Sequence, residues 1–599
     1  MRTGRRWGAF ACGLRSLVFL AALCLLSLIA FAGEPRQVLA DPGTPNIDTT
    51  AEAVQTFYRN GNGVPHTDAL GNLRTSYDSA LSFFPNGLYF LTPCMVSRDI
   101  SWEAPSGQAP DGWDGRYHLA VNLGPQLDLA DPSRIVSDQV VSNTAVTIDP
   151  LPAATDLYYS VRLEGTDEVT SEGAFTSADC PDPELAAPVA IAENAGFNFA
   201  ITRTAVDTLA LADQAAGSGF KLAPSLSEAG GLFETLKNDP VVYGWYLADE
   251  PLLWSRLNGE DPAVAYNNIG LVCYSLCPQT SQVFFLTESS RFLYDPFWPQ
   301  FIGLGDAGVH YNYPKTSPGP LWSLWSVASA LRYQASVLKG LKPSWLVVES
   351  FGAESGIAWE FLTPQEMKAT IYTAVIHGAT GIIHFAWDSY VMRGERLMGI
   401  GPSPPAALLG DRAADSAALW DALASPEDGI NHELETLTPI ILSPTSRQPY
   451  RVFVDQQPIS RAPIRTMLKE YGGSYYLLAV NIDNAPINAR FLFTLSFESV
   501  EALFEDSPTF RFGRSSLVDN FEPFGVHVYR LQFHCPDVDG DGAVTIVDIR
   551  DVLIRLWGSG KNGEYEYRFD VNSDGAINIL DLQMTWYANG HFCTRPIPP

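Results

Sequence analysis

Basic residues are the first shortage. The 599-residue chain sets 38 Lys and Arg against 67 Asp and Glu, a formal charge of −29. Nucleic-acid binding through a cationic face is not expected of that balance, because phosphate recognition needs a basic surface. Apolar runs long enough to span a bilayer are missing after the first 31 residues. Three chemical signatures are missing as well. No Ser sits in a G-x-S-x-G turn, which removes support for serine hydrolysis. No His and Cys cluster has zinc-ligand spacing. No glycine-rich phosphate loop follows an early strand, so an open doubly wound sheet would lack its usual function. The chain is nonetheless 46% hydrophobic and 12% aromatic, which excludes a disordered or collagen-like polymer. Its length is several times that of one domain, so several cores are expected.

The first segment carries Arg2, Arg5, Arg6 and Arg15, an apolar run from Leu17 to Phe31, and the exit Ala30-Phe31-Ala32. Basic start, short apolar core and small-x-small exit predict a secretory signal peptide over 1–32. A retained membrane anchor is the other reading, since the run nears the lower length of a span. Cleavage would leave a soluble, secreted chain with six cysteines, Cys94, Cys180, Cys273, Cys277, Cys535 and Cys593. Six cysteines permit 15 pairings.

The clearest motif is near the end. Asp537, Asp539, Asp541, Gly542, Thr545 and Asp548 are followed by a second copy, Asp570, Asn572, Asp574, Gly575, Asn578 and Asp581. Oxygen side chains at loop positions 1, 3, 5, 9 and 12, with Gly at 6 for the sharp turn, suit a hard cation, so two structural Ca²⁺ sites are expected. Apolar residues at helical spacing follow each loop: Ile549, Val552, Leu553 and Leu556, then Leu582, Met584 and Trp586. These paired EF-hand-like units resemble a type I dockerin, which implies a cohesin-like partner read through loop positions 10 and 11. Those positions are Ile546-Val547 and Ile579-Leu580 here, where many such modules carry hydroxyl residues. The sequence leaves open whether they form a docking patch or pack inward.

From Phe83 to Trp387 apolar strand, polar loop and amphipathic helix alternate. Strands are expected at 87–91, 197–201, 220–224, 242–248, 283–287, 305–311, 345–348 and 381–387. Eight such units predict a parallel sheet closed as a (β/α)₈ TIM barrel, with its active site at the strand C-termini. Thr363-Pro364-Gln365-Glu366 predicts a capped helix whose apolar face is Met367, Ile371 and Val375, ended by Gly378. A turn-rich, alternating insertion separates the first two strands, and its LPAATDLYYSVRLEG and GAFTS stretches resemble a fibronectin type III module. A rival parse, one N-terminal sandwich before Asp182, leaves the barrel a strand short.

The expected organisation is a signal peptide (1–32), an N-terminal segment (33–82), the first barrel strand (83–94), the inserted β-sandwich (95–181) and the rest of the barrel (182–429). A second β-sandwich (430–534) and the dockerin-like module (535–595) complete it. These divisions pair Cys94 with Cys180 at the neck of the insertion, Cys273 with Cys277, and Cys535 with Cys593 around the last module.

The fourth strand ends in GWYLADEP and the seventh in VVESFG. Carboxylates facing each other across a barrel mouth suit glycosidic cleavage, one protonating the leaving oxygen and the other attacking C1 or activating water. With GATGIIHFAW, these stretches resemble the retaining glycoside hydrolases of the 4/7 barrel superfamily, the beta-galactosidase-like bacterial barrels. The resemblance implies Glu250 as acid/base, Glu349 as nucleophile, Tyr311 as the nucleophile's partner and Trp387 as a sugar platform. Trp245 and Asp249 join them as substrate-binding residues, Asp249 standing where the superfamily usually has Asn. Glu288 is a reserve carboxylate, and His310 and His384 read as core residues. The expected function is a secreted glycoside hydrolase acting on an extracellular poly- or oligosaccharide. The alternative is a non-catalytic carbohydrate-binding or surface-assembly protein with a degenerate barrel.

Overall fold

The computed structural model describes residues between 83 and 589 with breaks, the longest at 103–112, 124–134, 177–186, 316–323 and 402–411. Residues 1–82, Cys94, Cys180, Cys593, Asn572 and Asp574, and the expectations attached to them, lie outside the described residues.

Eight parallel strands form one sheet: β1 (Asn86–Tyr89), β2 (Phe199–Thr202), β3 (Lys221–Pro224), β4 (Gly244–Asp249), β5 (Val283–Ser289), β6 (Ala307–Tyr311), β7 (Ser344–Glu349) and β8 (Gly381–Phe385). Their order is β4-β5-β6-β7-β8-β1-β2-β3, and bridges from Leu222 to Val242 and from Ser225 to Tyr246 close β3 onto β4. The ring is therefore a (β/α)₈ barrel. Alternate residues fill its interior, among them Phe199, Ile201, Ala223, Tyr246, Phe285, Val309, Trp345 and Ile383, as the two-residue period of a strand requires. At Gly244 a Cβ would lie 2.4 Å from the Val283 carbonyl oxygen, so only glycine lets β4 and β5 meet this closely.

A two-sheet antiparallel sandwich lies between β1 and β2. Met95–Ser101 pairs with Ala145–Pro152, and the facing sheet has Tyr117–Leu123 between Ile135–Val141 and Asp156–Leu163, with Val169–Thr176 at its edge. Its core is Ile100, Trp102, Tyr117, Leu119, Val121, Leu157, Val161 and Leu163. Because β1 is hydrogen-bonded to both β8 and β2, the rival parse with a separate N-terminal sandwich fails.

The helix Pro364–Ile376 starts as expected. The Thr363 hydroxyl accepts from the Glu366 N–H, and the Glu366 carboxylate accepts from the Thr363 N–H at 2.8 Å. Its burial differs from the single apolar face expected: Ala369, Thr370, Tyr372 and Thr373 are buried along with Met367, Ile371 and Val375. The cause is a second layer, since Met467, Leu478 and Val480 of the following sandwich join the same hydrophobic cluster.

That sandwich stacks a five-stranded sheet on a four-stranded one. Residues Ile430–Ile441, expected as its start, form a helix instead. The stripe Ile430, Leu434, Leu437 and Ile441 has helical spacing and packs on the barrel, and Glu433 accepts from Lys368 Nζ at 2.6 Å and the Tyr372 hydroxyl at 2.7 Å. Cys273 and Cys277 are disulfide-bonded at the end of helix Pro262–Leu276. Cys535 is disulfide-bonded as well. One hydrophobic cluster runs from the sandwich (Val452, Phe491, Tyr529) into the C-terminal helices (Ile549, Val552, Leu582, Met584). Among the described residues no helix is long and apolar enough to cross a membrane.

Candidate functional site

The barrel mouth holds a cleft of about 660 Å³ at the C-terminal ends of the strands. Asp249 closes β4, and a register shift between Tyr246 and Asp249 marks a β-bulge. On a regular strand these positions would face opposite sides; the bulge turns both inward. Glu250 follows in the left-handed region at φ 49° and ψ 46°, a conformation that costs a non-glycine residue about 1–2 kcal/mol. Its N–H donates to the Thr287 carbonyl at 3.0 Å, and its carbonyl accepts from Trp254 N–H at 3.0 Å as the helix Pro251–Asn258 begins. Bulge and left-handed turn together bring two consecutive carboxylates into one cleft.

Asp249 is held through one oxygen. Its Oδ1 accepts from the hydroxyls of Tyr89 at 2.9 Å, Tyr246 at 2.7 Å and Thr287 at 2.9 Å. The Tyr89 and Tyr246 hydroxyl oxygens also lie in contact with each other. The Glu250 carboxylate accepts from the Tyr311 hydroxyl, and burial and then the Glu250 charge push that phenol well above its ordinary range. Stacked on Tyr311 at 4.6 Å is Tyr313, which stacks in turn on Phe385 at 5.9 Å. Phe351, Trp359 and the 45% exposed Trp254 complete an aromatic wall, and Arg291 stands exposed at the rim.

Of the residues named from the sequence, Glu250, Asp249 and Tyr311 meet in this cleft. The others do not. Trp245 is fully buried on the outer face of β4, where its Nε1–H donates to Gln282 Oε1 at 2.6 Å, because its neighbour Tyr246 occupies the inner face. Trp387 is buried edge-on against Trp420 at 5.7 Å and does not line the cleft. Tyr311 bonds Glu250, not the Glu349 to which it was expected to be a partner.

Glu349 is fully buried and absent from the cleft wall. Its Oε2 accepts from the Lys315 N–H at 2.8 Å, and its Oε1 has no hydrogen-bond partner among the described residues. Burial pushes its carboxyl up to about 8, against the opposing pull of the Lys315 N–H and charge. Glu288 is buried too, accepting from Leu252 N–H at 2.8 Å at the start of helix Pro251–Asn258, and burial raises its carboxyl well above the usual range. Among the described residues the carboxylates lining the cleft are therefore Asp249 and Glu250. His310, pushed by burial down to about 4, is bonded to Gln334, and His384, down to about 3, is bonded to Ser350; both are core residues. Tyr89, Thr287, Phe351, Trp359, Trp254 and Phe385 carried no distinguishing sequence signal beyond their places at or near strand ends.

In the C-terminal module the carboxylates of Asp537, Asp539 and Asp541 gather with ligand atoms within 4.8 Å of one another. Asp537 is fixed by N–H groups of Gly540 at 2.6 Å and Gly542 at 2.9 Å, the latter glycine at φ +93°. Asp548 is fully buried, Oδ1 accepting from Val538 N–H at 2.8 Å and Oδ2 from Thr545 N–H at 2.7 Å. The second loop repeats the pattern: Asp570 accepts from Gly575 N–H at 2.8 Å, and Asp581 from Asn578 N–H at 2.7 Å. An all-oxygen, acidic donor set of this kind fits Ca²⁺. Ile546, Ile579 and Leu580 are 64%, 58% and 50% exposed, and Val547 is half-buried.

Residues 536–585 match the Dockerin type I domain, whose members bind calcium. No curated protein matches the chain. Similar solved structures include a Faecalibacterium prausnitzii beta-glucuronidase (TM-score 0.28, 11% identity, 47% of this chain and 56% of that one). This chain thus spans little more than half the length of that enzyme. Others are a GH30 endoxylanase from Clostridium papyrosolvens (0.32, 11%, 57% and 91%) and a catalytic mutant of a GH42 beta-galactosidase from G. stearothermophilus (0.38, 8%, 58% and 96%). Likenesses at this level carry no statement about chemistry.

Proposed function

We propose that the chain is a secreted glycoside hydrolase of an extracellular poly- or oligosaccharide, with Glu250 as the acid/base. The observation that carries this reading is Glu250 itself, held in a left-handed turn at the mouth of a (β/α)₈ barrel, hydrogen-bonded to Tyr311 and facing an aromatic-walled cleft. Aromatic faces suit the apolar faces of sugar rings, and strand C-termini are where this fold places its chemistry. Cleavage is proposed to retain configuration, which in the ordinary two-carboxylate route needs the second group about 5–5.5 Å from the first. Among the described residues Asp249 is the second carboxylate of the cleft, and Glu349 is not used in this reading.

The C-terminal module is proposed to bind two structural Ca²⁺ ions, one through Asp537, Asp539, Asp541 and Asp548, the other through Asp570, Asn572, Asp574 and Asp581. Its exposed Ile546, Ile579 and Leu580 support a cohesin-like partner docked on an apolar patch, in preference to inward packing. A surface-assembly protein with an inactive barrel is the second reading, favoured by the burial of Glu349. Hydrolysis by the full-length protein across a glycan panel, with Glu250→Gln as control, decides between them. Reducing ends released by the parent and lost in the variant establish the hydrolase; none released on any glycan leaves the assembly protein.

A further inference from the structure

Consecutive residues of an extended strand point to opposite faces, yet Asp249 and Glu250 line one cleft because a β-bulge and a left-handed residue intervene. Two carboxylates delivered from adjacent positions of one strand approach a bound sugar from the same side. The ordinary acid and nucleophile flank the scissile bond, one protonating the leaving oxygen while the other meets C1 from the opposite face. Neither buried carboxylate named above lines the cleft: Glu349 bonds Lys315 and Glu288 caps a helix. A carboxylate beside the acid is placed to serve a group on the substrate itself.

We propose that the barrel cleaves β-linked 2-acetamido-2-deoxyhexosides, with the acetamido group of the substrate as the nucleophile and Asp249 as the residue that binds and stabilises that group; this rests on the glycosidase reading above. Glu250 gives its proton to the glycosidic oxygen as the C1–O bond breaks. The acetamido carbonyl oxygen bonds to C1 from the opposite face, which requires a 1,2-trans linkage, hence β in the gluco and galacto series. Positive charge spreads onto the acetamido nitrogen, whose N–H donates to the Asp249 carboxylate. Water then yields a proton to Glu250 while its oxygen bonds to C1 and the bond from C1 to the acetamido oxygen opens. One water is consumed, Glu250 ends protonated as it began, and two displacements at C1 retain its configuration.

The surroundings of Asp249 suit this task. Three hydroxyls, from Tyr89, Tyr246 and Thr287, hold Oδ1, while Oδ2 takes part in none of those bonds. A carboxylate fixed through one oxygen keeps the other in place for an N–H donor and for the charge that develops beside it. The Tyr311, Tyr313 and Phe385 stack supplies the apolar surface that an acetyl methyl needs.

The test uses full-length protein and paired aryl glycosides: the β-N-acetylglucosaminide and β-N-acetylgalactosaminide against the β-glucoside and β-galactoside. A thiazoline analogue of the bicyclic intermediate serves as inhibitor. At least one acetamido substrate is expected to exceed its partner in kcat/KM by about 100-fold or more, with competitive thiazoline inhibition and the β-anomer released first. Asp249→Asn is expected to lower kcat by roughly 10²–10³-fold and to weaken thiazoline binding, which a merely structural role would not do. Equal cleavage of the plain glycosides, or release of the α-anomer first, overturns the acetamido inference and leaves the glycosidase reading standing. Cleavage of neither acetamido substrate, with no thiazoline binding, also overturns it, and the glycosidase reading is then decided by the glycan panel.

Discussion

The Tyr311 hydroxyl is hydrogen-bonded to the Glu250 carboxylate while the ring of the same tyrosine stacks on Tyr313. One side chain thus positions the acid and forms part of the sugar-facing wall. Tyr311→Phe keeps the stack and removes the bond. A hydrogen bond to a charged group contributes about 1.5–3 kcal/mol, so kcat should fall roughly 10- to 100-fold with KM little changed. In Tyr311→Phe/Glu250→Gln the loss should match that of Glu250→Gln alone, because both variants act on one group. Additive losses in steady-state kinetics would show that Tyr311 works independently of Glu250.

Glu349→Gln separates the two arrangements of the mouth. Burial holds this carboxyl at about 8, so it is protonated at neutral pH and glutamine is its near-isostere. Activity should stay within about threefold of the parent, since the variant removes neither a charge nor a cleft contact. A collapse in kcat with the fold intact would restore Glu349 as nucleophile.

The same carboxyl makes a statement about stability. An acid whose folded value lies above its unfolded one keeps its proton in the native state while the unfolded chain has lost it. Stability from this group is therefore full at pH below about 4.5 and falls as pH rises toward 8, by at most about 1.4 kcal/mol per pH unit. Parent and Glu349→Gln should melt together near pH 5 and diverge by pH 8, the parent lower. Melting curves that stay parallel across this range would contradict the burial described.

Calcium removal is expected to act on the C-terminal module first. Asp537, Asp539 and Asp541 crowd negative charge that a divalent ion neutralises. At a free ion concentration about 100 times the dissociation constant, binding stabilises by about 2.7 kcal/mol per site. Calorimetry of the full chain should show a transition that moves down with chelator and returns with Ca²⁺, and a smaller movement in Asp537→Asn. Superimposable scans in both conditions would remove the ion from the account of folding.

The docking patch gives a fifth expectation. Ile546→Asp/Ile579→Asp/Leu580→Asp changes three exposed side chains, so the melting temperature should shift little. Calcium-dependent capture by an immobilised cohesin, expected of the parent, should be lost. Equal capture by both proteins would place the partner surface elsewhere.

All eight barrel strands were legible in the sequence because each is a short apolar run bounded by turn residues, and their ends fall within three residues of expectation. Trp245 was misplaced although the signal to place it was present: strand residues alternate, and an inward Tyr246 sends its neighbour outward. Trp387 was not legible, since the Trp420 that covers it comes from the later helix Ala413–Ala424. The bulge before Asp249 left no mark in composition or periodicity, and the hydroxyls that converge there come from three separate strands. On β4 the departure from regular alternation turned Asp249 and Glu250 into the cleft, whereas on β7 Glu349 falls by alternation on the inward side with Trp345 and Val347 and is taken up by the Lys315 N–H.

Synthesis from the N-terminus gives the position of β1 a cost in time. It is flanked by β8 and β2, so its second edge stays unpaired until Phe385 has left the ribosome. At about 5–20 residues per second that interval lasts on the order of tens of seconds. Throughout it, that edge of Asn86–Tyr89 is open to any other strand. Among the described barrel strands the first to be made is therefore the last to have both edges satisfied.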